Sequence, residues 1–214
     1  MPLQNRVDPF GNLFASPARG TLFGNRGGRI HRDDRTLSSR RWTSRQWICC
    51  VLSFKGRRRS VWGRYYTELF FLDEVTALAA GHRPCFECRH ADAVAFATAF
   101  GDGERTPAPA MDRVLQSERL DGRAKRLHRR PLDELSDGAM IVLSQNTAGA
   151  VRGEHLLPWT PFGYGPPWPR PEKIDVEVLT PPSILSALAR GYRPAWHESA
   201  ESGLRTWSHA TDLR

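Results

Sequence analysis

Tyr66-Thr67-Glu68-Leu69-Phe70-Phe71-Leu72-Asp73-Glu74-Val75-Thr76-Ala77-Leu78-Ala79-Ala80-Gly81-His82-Arg83-Pro84-Cys85-Phe86-Glu87-Cys88-Arg89 is the stretch on which the fold of this chain turns. Its first residues close an apolar run, Tyr65 to Leu72, that reads as a strand. Asp73 can accept hydrogen bonds from the free amides of a helix start, which predicts a short helix over Glu74 to Ala80. Gly81 ends it at the position that favours left-handed backbone, and Pro84 follows. Cys85 and Cys88 come next on one tight turn, a spacing that lets both sulfurs reach a single tetrahedral Zn²⁺ at about 2.3 Å. Beyond them Ala93, Phe96, Ala97 and Phe100 recur at helical spacing, so a second helix is expected over about 89–100, its N-terminal amides favouring nearby thiolates.

The chain has 4 cysteines, Cys49, Cys50, Cys85 and Cys88, and none follows residue 88. That clustering suits a metal site in a reducing compartment better than a disulfide framework, and Cys49 and Cys50 are the remaining thiolates. Gln46 to Phe54 reads as a strand, in which neighbouring side chains point to opposite faces. One of the adjacent pair is therefore expected to bind metal while the other packs, unless a bulge turns both inward. His31, His82 and His90 rank below the cysteines as further ligands.

The quoted stretch resembles the second half of the Ada-type zinc-binding domain of alkylation-repair proteins, over about 45–90 of this chain. In that family a strand, a short helix and an Ala-Gly-aromatic-Arg-Pro-Cys-x-x-Cys-Arg turn supply two of four zinc thiolates. The resemblance implies DNA binding and repair or damage handling, and places Cys49 or Cys50 where the family has a cysteine that accepts a methyl group from a phosphotriester. It departs from the family in that the upstream cysteines are adjacent rather than three residues apart, and in a longer stretch between the pairs. A zinc site that only staples the fold is the competing expectation.

Around this centre, 214 residues with 40% hydrophobic and 25% charged residues describe a globular chain, not a collagen, a coiled coil or a disordered polymer. No run approaches the roughly 18 apolar residues of a membrane helix, and no signal-peptide core follows Met1 to Arg6, so a cytoplasmic location without a membrane partner is expected. Net charge is +8, and it is uneven: residues 1–64 carry 14 Lys+Arg against Asp8, Asp33 and Asp34. A basic front is the electrostatic footprint of a polyanion partner, DNA in the first place and RNA as the alternative. Arg40, Arg41, Arg57, Arg58 and Arg59 are the expected phosphate contacts. Trp42, Trp47, Trp62, Tyr65 and Tyr66 are interleaved with arginines but are read as core aromatics.

The organisation predicted is α+β, with a basic zinc-stapled strand-helix-turn-helix module over 1–100, a linker over 101–110 and a mixed region over 111–214 packed on or after it. Residues 45–55 should form a strand, Gly56 to Arg59 a basic hairpin turn and Ser60 to Trp62 an extended piece. Met111 to about Gly122 should be helical, Met140 to Leu143 and Ala150 to Leu157 strands, and Val176 to Leu179 a strand leading into a helix capped by Thr180 that ends at Gly191. Ala77 to Pro84 is echoed by Ala187 to Pro194, a duplication or a reused helix stop.

Two enzyme readings compete. Pro84-Cys85-x-x-Cys88 is half of the zinc nucleobase deaminase signature, whose other half, His-x-Glu, has His31-Arg32-Asp33 as its nearest counterpart. A nuclease would draw on His31, Asp33, Asp34 and Glu68. A zinc-stapled interaction protein is the third class.

Overall fold

The computed structural model describes residues 1–57, 60–144 and 146–202 of the chain. Four helices and fifteen short strands are seen among them, an α+β architecture. The first sheet contains β1 (Arg6–Val7), β2 (Leu13–Phe14), β3 (Leu22–Arg26), β4 (Trp47–Val51), β5 (Leu69–Phe71) and, after α1 (Glu74–Ala79), β6 (Arg83–Pro84). Its strand order is β2-β1-β5-β3-β4-β6, with β6 parallel to β4 at the edge. Next come α2 (His90–Phe100), α3 (Ala108–Arg119), a ribbon of β7 (Leu120–Asp121) and β8 (Ala124–Lys125), and β9 (His128–Pro131). A second sheet takes β9 together with β10 (Met140–Ser144), β11 (Thr147–Arg152), β12 (His155–Thr160), β13 (Gly163–Tyr164), β14 (Trp168–Pro169) and β15 (Asp175–Val178). α4 (Pro182–Ala189) closes the series.

α1 is the hub. All six of its residues are buried, and a helix enclosed on every side belongs to a core rather than a surface. Ala77 packs with Val7, Leu22, Cys49 and Phe71 of the first sheet; Val75 and Ala79 pack with Met140, Ala150 and Leu157 of the second. Leu78 joins Phe96, Met111, Leu115, Ile184 and Leu188 of the other three helices. The segment 101–110 is thus a loop and the opening of α3, with the same apolar cores drawing on residues from both sides of it.

The two acids at the start of α1 are buried and fully engaged. Asp73 caps the helix by accepting from the Thr76 amide at 2.9 Å, and also accepts from the Tyr164 hydroxyl at 2.9 Å and the His197 amide at 3.0 Å. Glu74 accepts from the Tyr192 hydroxyl at 2.6 Å, Arg89 at 2.7 Å and the Ala195 amide at 2.9 Å. The C-terminal segment is therefore fastened to the front of the chain through hydrogen bonds that a buried carboxylate needs. On the other side of α1, Arg83 grips Asp112 of α3 with two bonds of 2.8 Å, a forked pair with the arginine 2% exposed.

Several expected elements are shorter than the sequence suggested. The strand expected over 65–72 is paired only at Leu69–Phe71, because Thr67 and Glu68 are drawn aside: Thr67 Oγ1 accepts from the Ile30 amide at 2.8 Å and Glu68 from the Trp62 amide at 2.7 Å. Ser60 to Trp62 is a turn rather than an extended piece, with Trp62 at φ +58°. The strand expected over 150–157 is two strands, broken at Gly153 with φ +55°. Thr180 does not cap α4; its hydroxyl accepts from the Met140 amide at 2.9 Å and so ties the helix entry to β10. The echoed segments stop their helices identically, with the amides of His82 and Tyr192 reaching back to the carbonyls of Ala77 and Ala187 at 2.9 and 3.0 Å.

Candidate metal centre

β4 and β6 run side by side, pairing Cys49 with Pro84, and the Cys85 amide donates to the Cys49 carbonyl at 3.0 Å. That pairing delivers the Cys85/Cys88 turn to the end of β4. The sulfurs of Cys50, Cys85 and Cys88 lie within 4.8 Å of one another, and these three could hold a metal ion. Around a tetrahedral ion with bonds of about 2.3 Å, sulfurs stand about 3.8 Å apart, a spacing that falls within this limit. Among the described residues no other group of three histidine, cysteine or acidic side chains is gathered in this way.

The local electrostatics suit a thiolate cluster. Cys85 is pulled down to about 5, first by a hydrogen bond from Cys50 and then, against the cost of burial, by the amides of Cys88 and Glu87. Cys88 is lowered by Cys50 in the same way and by the Val51 amide. Cys50, hydrogen-bonded to both neighbours and buried, is pushed far up, which favours its proton staying on. A metal ion would replace that proton, since thiols must be deprotonated to ligate.

Cys49, named with the other three cysteines as a ligand candidate, does not join the cluster. It is fully buried on the opposite face of β4, packed with Leu22, Leu69 and Phe71, and Arg89 donates to its sulfur at 3.3 Å. Burial and the nearby Glu74 hold it as a thiol. No bulge interrupts the β3–β4 pairing, so the alternation of a regular strand separates the two sulfurs. The histidines lie elsewhere: His31 bonds Thr67 Oγ1 at 2.7 Å and stacks on Trp62, His82 is enclosed between Trp47 and Phe71, and exposed His90 meets the Phe86 carbonyl at 3.1 Å.

The cluster forms part of the wall of a cavity of about 710 Å³ lined also by Asn25, Arg57, Arg64, Tyr65, Tyr66 and Glu68. Arg57 is exposed and pairs with Glu87 at 2.6 Å; Arg64 lies over the Tyr65 ring at 5.8 Å. Tyr65 and Tyr66 are 72% and 48% exposed, so they are surface aromatics rather than the core residues the sequence suggested. Their place next to Arg64 in the sequence was the available signal. Arg40 is exposed and Arg41 half-buried on another part of the surface, and Arg58 and Arg59 lie outside the described residues. The acids proposed for nuclease or deaminase chemistry are dispersed: Asp33 pairs with Arg29, Asp34 accepts from the Thr36 amide at 2.9 Å, and Glu68 is held by Trp62.

No protein-family model, curated protein or solved structure matches the chain. No helix among the described residues is long and apolar enough to cross a membrane.

Proposed function

We propose that the chain is a zinc-binding, DNA-binding protein of the damage-handling kind, with Zn²⁺ held by Cys50, Cys85 and Cys88. The observation that carries this reading is the gathering of three sulfurs, within 4.8 Å of one another, on the wall of a cavity whose rim bears Arg57, Arg64, Tyr65 and Tyr66. Thiolate donors at this spacing, supported by backbone amides, suit Zn²⁺. Guanidinium groups beside exposed aromatic rings suit phosphates and unstacked bases. On the Ada-type reading, Cys50 rather than Cys49 is taken as the counterpart of the methyl acceptor, because Cys50 alone of the pair lines the cavity. When bound, zinc would keep the thiolates deprotonated and nucleophilic at neutral pH.

A zinc-dependent nucleic-acid enzyme is the second reading. It draws on the cavity itself, whose wall contains the three cysteines that would hold the zinc, and on buried Glu68 in the same wall as an acid-base group.

Elemental analysis together with salt-dependent DNA binding tests the first reading. About one zinc per chain and an affinity that falls with salt support it, whereas zinc-free reduced protein would remove its basis. Turnover of a nucleic acid that is lost in Glu68→Gln at unchanged zinc content would favour the enzyme.

A further inference from the structure

The face of β3 and β4 turned away from the cysteine cluster holds a second polar site, of opposite character. Arg26 and Trp47, paired across the two strands, lie on that face, and Arg119 at the end of α3 also packs against Trp47. The guanidinium carbons of Arg26 and Arg119 sit 3.9 and 4.0 Å from the Trp47 rings, so one indole lies against two cations. These arginines are 2% and 1% exposed. Both line a cavity of about 350 Å³ together with Lys125, Arg41 and Arg123, and no acidic residue lines it.

Five cations thus meet one cavity without a matching carboxylate. None of the five takes part in an ion pair among the described residues. Two acids outside the cavity lining act on the group: Asp8, which accepts from the amide and side chain of Asn12, both at 2.9 Å, favours the charged forms of Arg26 and Lys125, and Asp112, itself gripped by Arg83, favours that of Arg119, so positive charge remains in excess. The buried cations donate instead to neutral acceptors. Arg26 meets the Gly11 carbonyl at 2.9 Å and His82 Nε2 at 3.4 Å, and Arg119 meets the carbonyls of Gly81 and Arg45 at 2.8 and 2.7 Å. Arg119 also reaches Gln116, and Lys125 the Ala79 carbonyl. Arg119 Nε is buried with no partner. Burial and mutual repulsion draw Lys125 down to about 7. Carbonyls satisfy hydrogen bonds but do not cancel charge, and buried charge in excess is costly, so an anion in the cavity would be stabilised there.

We propose that this cavity is a binding site for a phosphate group, with Arg26, Arg119 and Lys125 at its base and Arg41 and Arg123 at its mouth. A tetrahedral dianion offers enough acceptors and charge for forked guanidinium contacts and an ammonium at once. Inorganic phosphate, a nucleoside monophosphate and a phosphorylated polynucleotide end share that chemistry. The site needs no metal and stands whether or not the zinc reading holds.

Calorimetric titration of the full-length protein tests it, using inorganic phosphate, a nucleoside 5′-monophosphate, and one oligonucleotide with and without a 5′-phosphate. The expected result is saturable binding near one per chain of at least one phosphate probe, weakened about tenfold or more in Arg41→Ala/Arg123→Ala. Those residues are at the mouth, so folding is preserved, which circular dichroism checks. Lys125→Met should weaken it likewise, and Cys50→Ser should leave it unchanged. Comparing the probes identifies the source: a preference for the 5′-phosphorylated over the unphosphorylated strand points to a polynucleotide end. Absence of saturable binding by every phosphate probe up to roughly 10 mM, or binding indifferent to the mouth and Lys125 variants, overturns the proposal.

Discussion

Cys49 and Cys50 are consecutive in the chain, and their sulfurs lie on opposite faces of β4, one against Arg89 and the other with Cys85 and Cys88. The strand's two-residue period therefore assigns adjacent, chemically identical side chains to different tasks. Cys49 is a small buried residue of the core, and Cys50 is one of the three cysteines that could hold a metal ion.

Arg89 ties the start of α2 to α1 and β4, pairing with Glu74 at 2.7 Å and Asp92 at 2.8 Å while also reaching Cys49. Arg89→Met leaves Glu74 buried without its cation, and the expected loss is about 3–5 kcal/mol of unfolding free energy in urea. A loss below about 1 kcal/mol would show that the tyrosine and amide bonds to Glu74 suffice.

Arg83 and Asp112 form a similarly enclosed pair. Arg83→Met alone should cost about 3–5 kcal/mol, because it strands a buried carboxylate, whereas Arg83→Met/Asp112→Leu should recover most of that loss. Equal destabilisation in the single and double variants would mean that shape, not charge, holds α3 to β6.

Lys125 has a folded-state value of about 7 against an ordinary 10.5, so the unfolded chain binds more protons than the folded one between these limits. Its unfavourable charge weighs fully on stability below pH 7 and is relieved as pH rises toward 10. The stability gained by Lys125→Met relative to the parent should accordingly be larger at pH 6 than at pH 9 in phosphate-free buffer, measured by thermal unfolding. A difference that is flat with pH would contradict the crowding of Lys125 by Arg26 and Arg119.

Arg57 and Arg64 flank the cysteine cavity, and the exposed pair of Arg57 with Glu87 contributes little to stability. Arg57→Glu/Arg64→Glu should leave folding intact, weaken DNA binding and lower the salt slope by about 2, near one unit per phosphate contact. An unchanged slope would place the nucleic-acid contacts elsewhere or nowhere.

The turn from Asp73 to Cys88 was legible because local chemistry dictates it. Asp73 caps α1, Gly81 follows at φ +86°, and the Cys85/Cys88 turn comes directly after. The strand reading of Gln46 to Phe54, although longer than the observed Trp47–Val51, also implied that the adjacent cysteines would part unless a bulge intervened. What could not be read were contacts between residues distant in sequence. Nothing local says that Thr67 and Glu68 leave their strand to hold Ile30 and Trp62, or that Lys125 arrives beside Arg26. Of the arginines read as one basic surface, Arg57 lines the cysteine cavity and Arg41 the cavity on the other face of the sheet, where Arg26 and Arg119 are brought by strand alternation and a distant helix end.

The most direct test of the metal centre is zinc content of the reduced, purified protein by elemental analysis, for the parent chain and for Cys49→Ser, Cys50→Ser and Cys85→Ser. The expected result, if the proposed zinc is held by the three gathered sulfurs, is about one zinc per chain in the parent and in Cys49→Ser, with loss in Cys50→Ser and Cys85→Ser. Zinc-free parent protein, or zinc lost from Cys49→Ser while Cys50→Ser keeps it, would contradict the account.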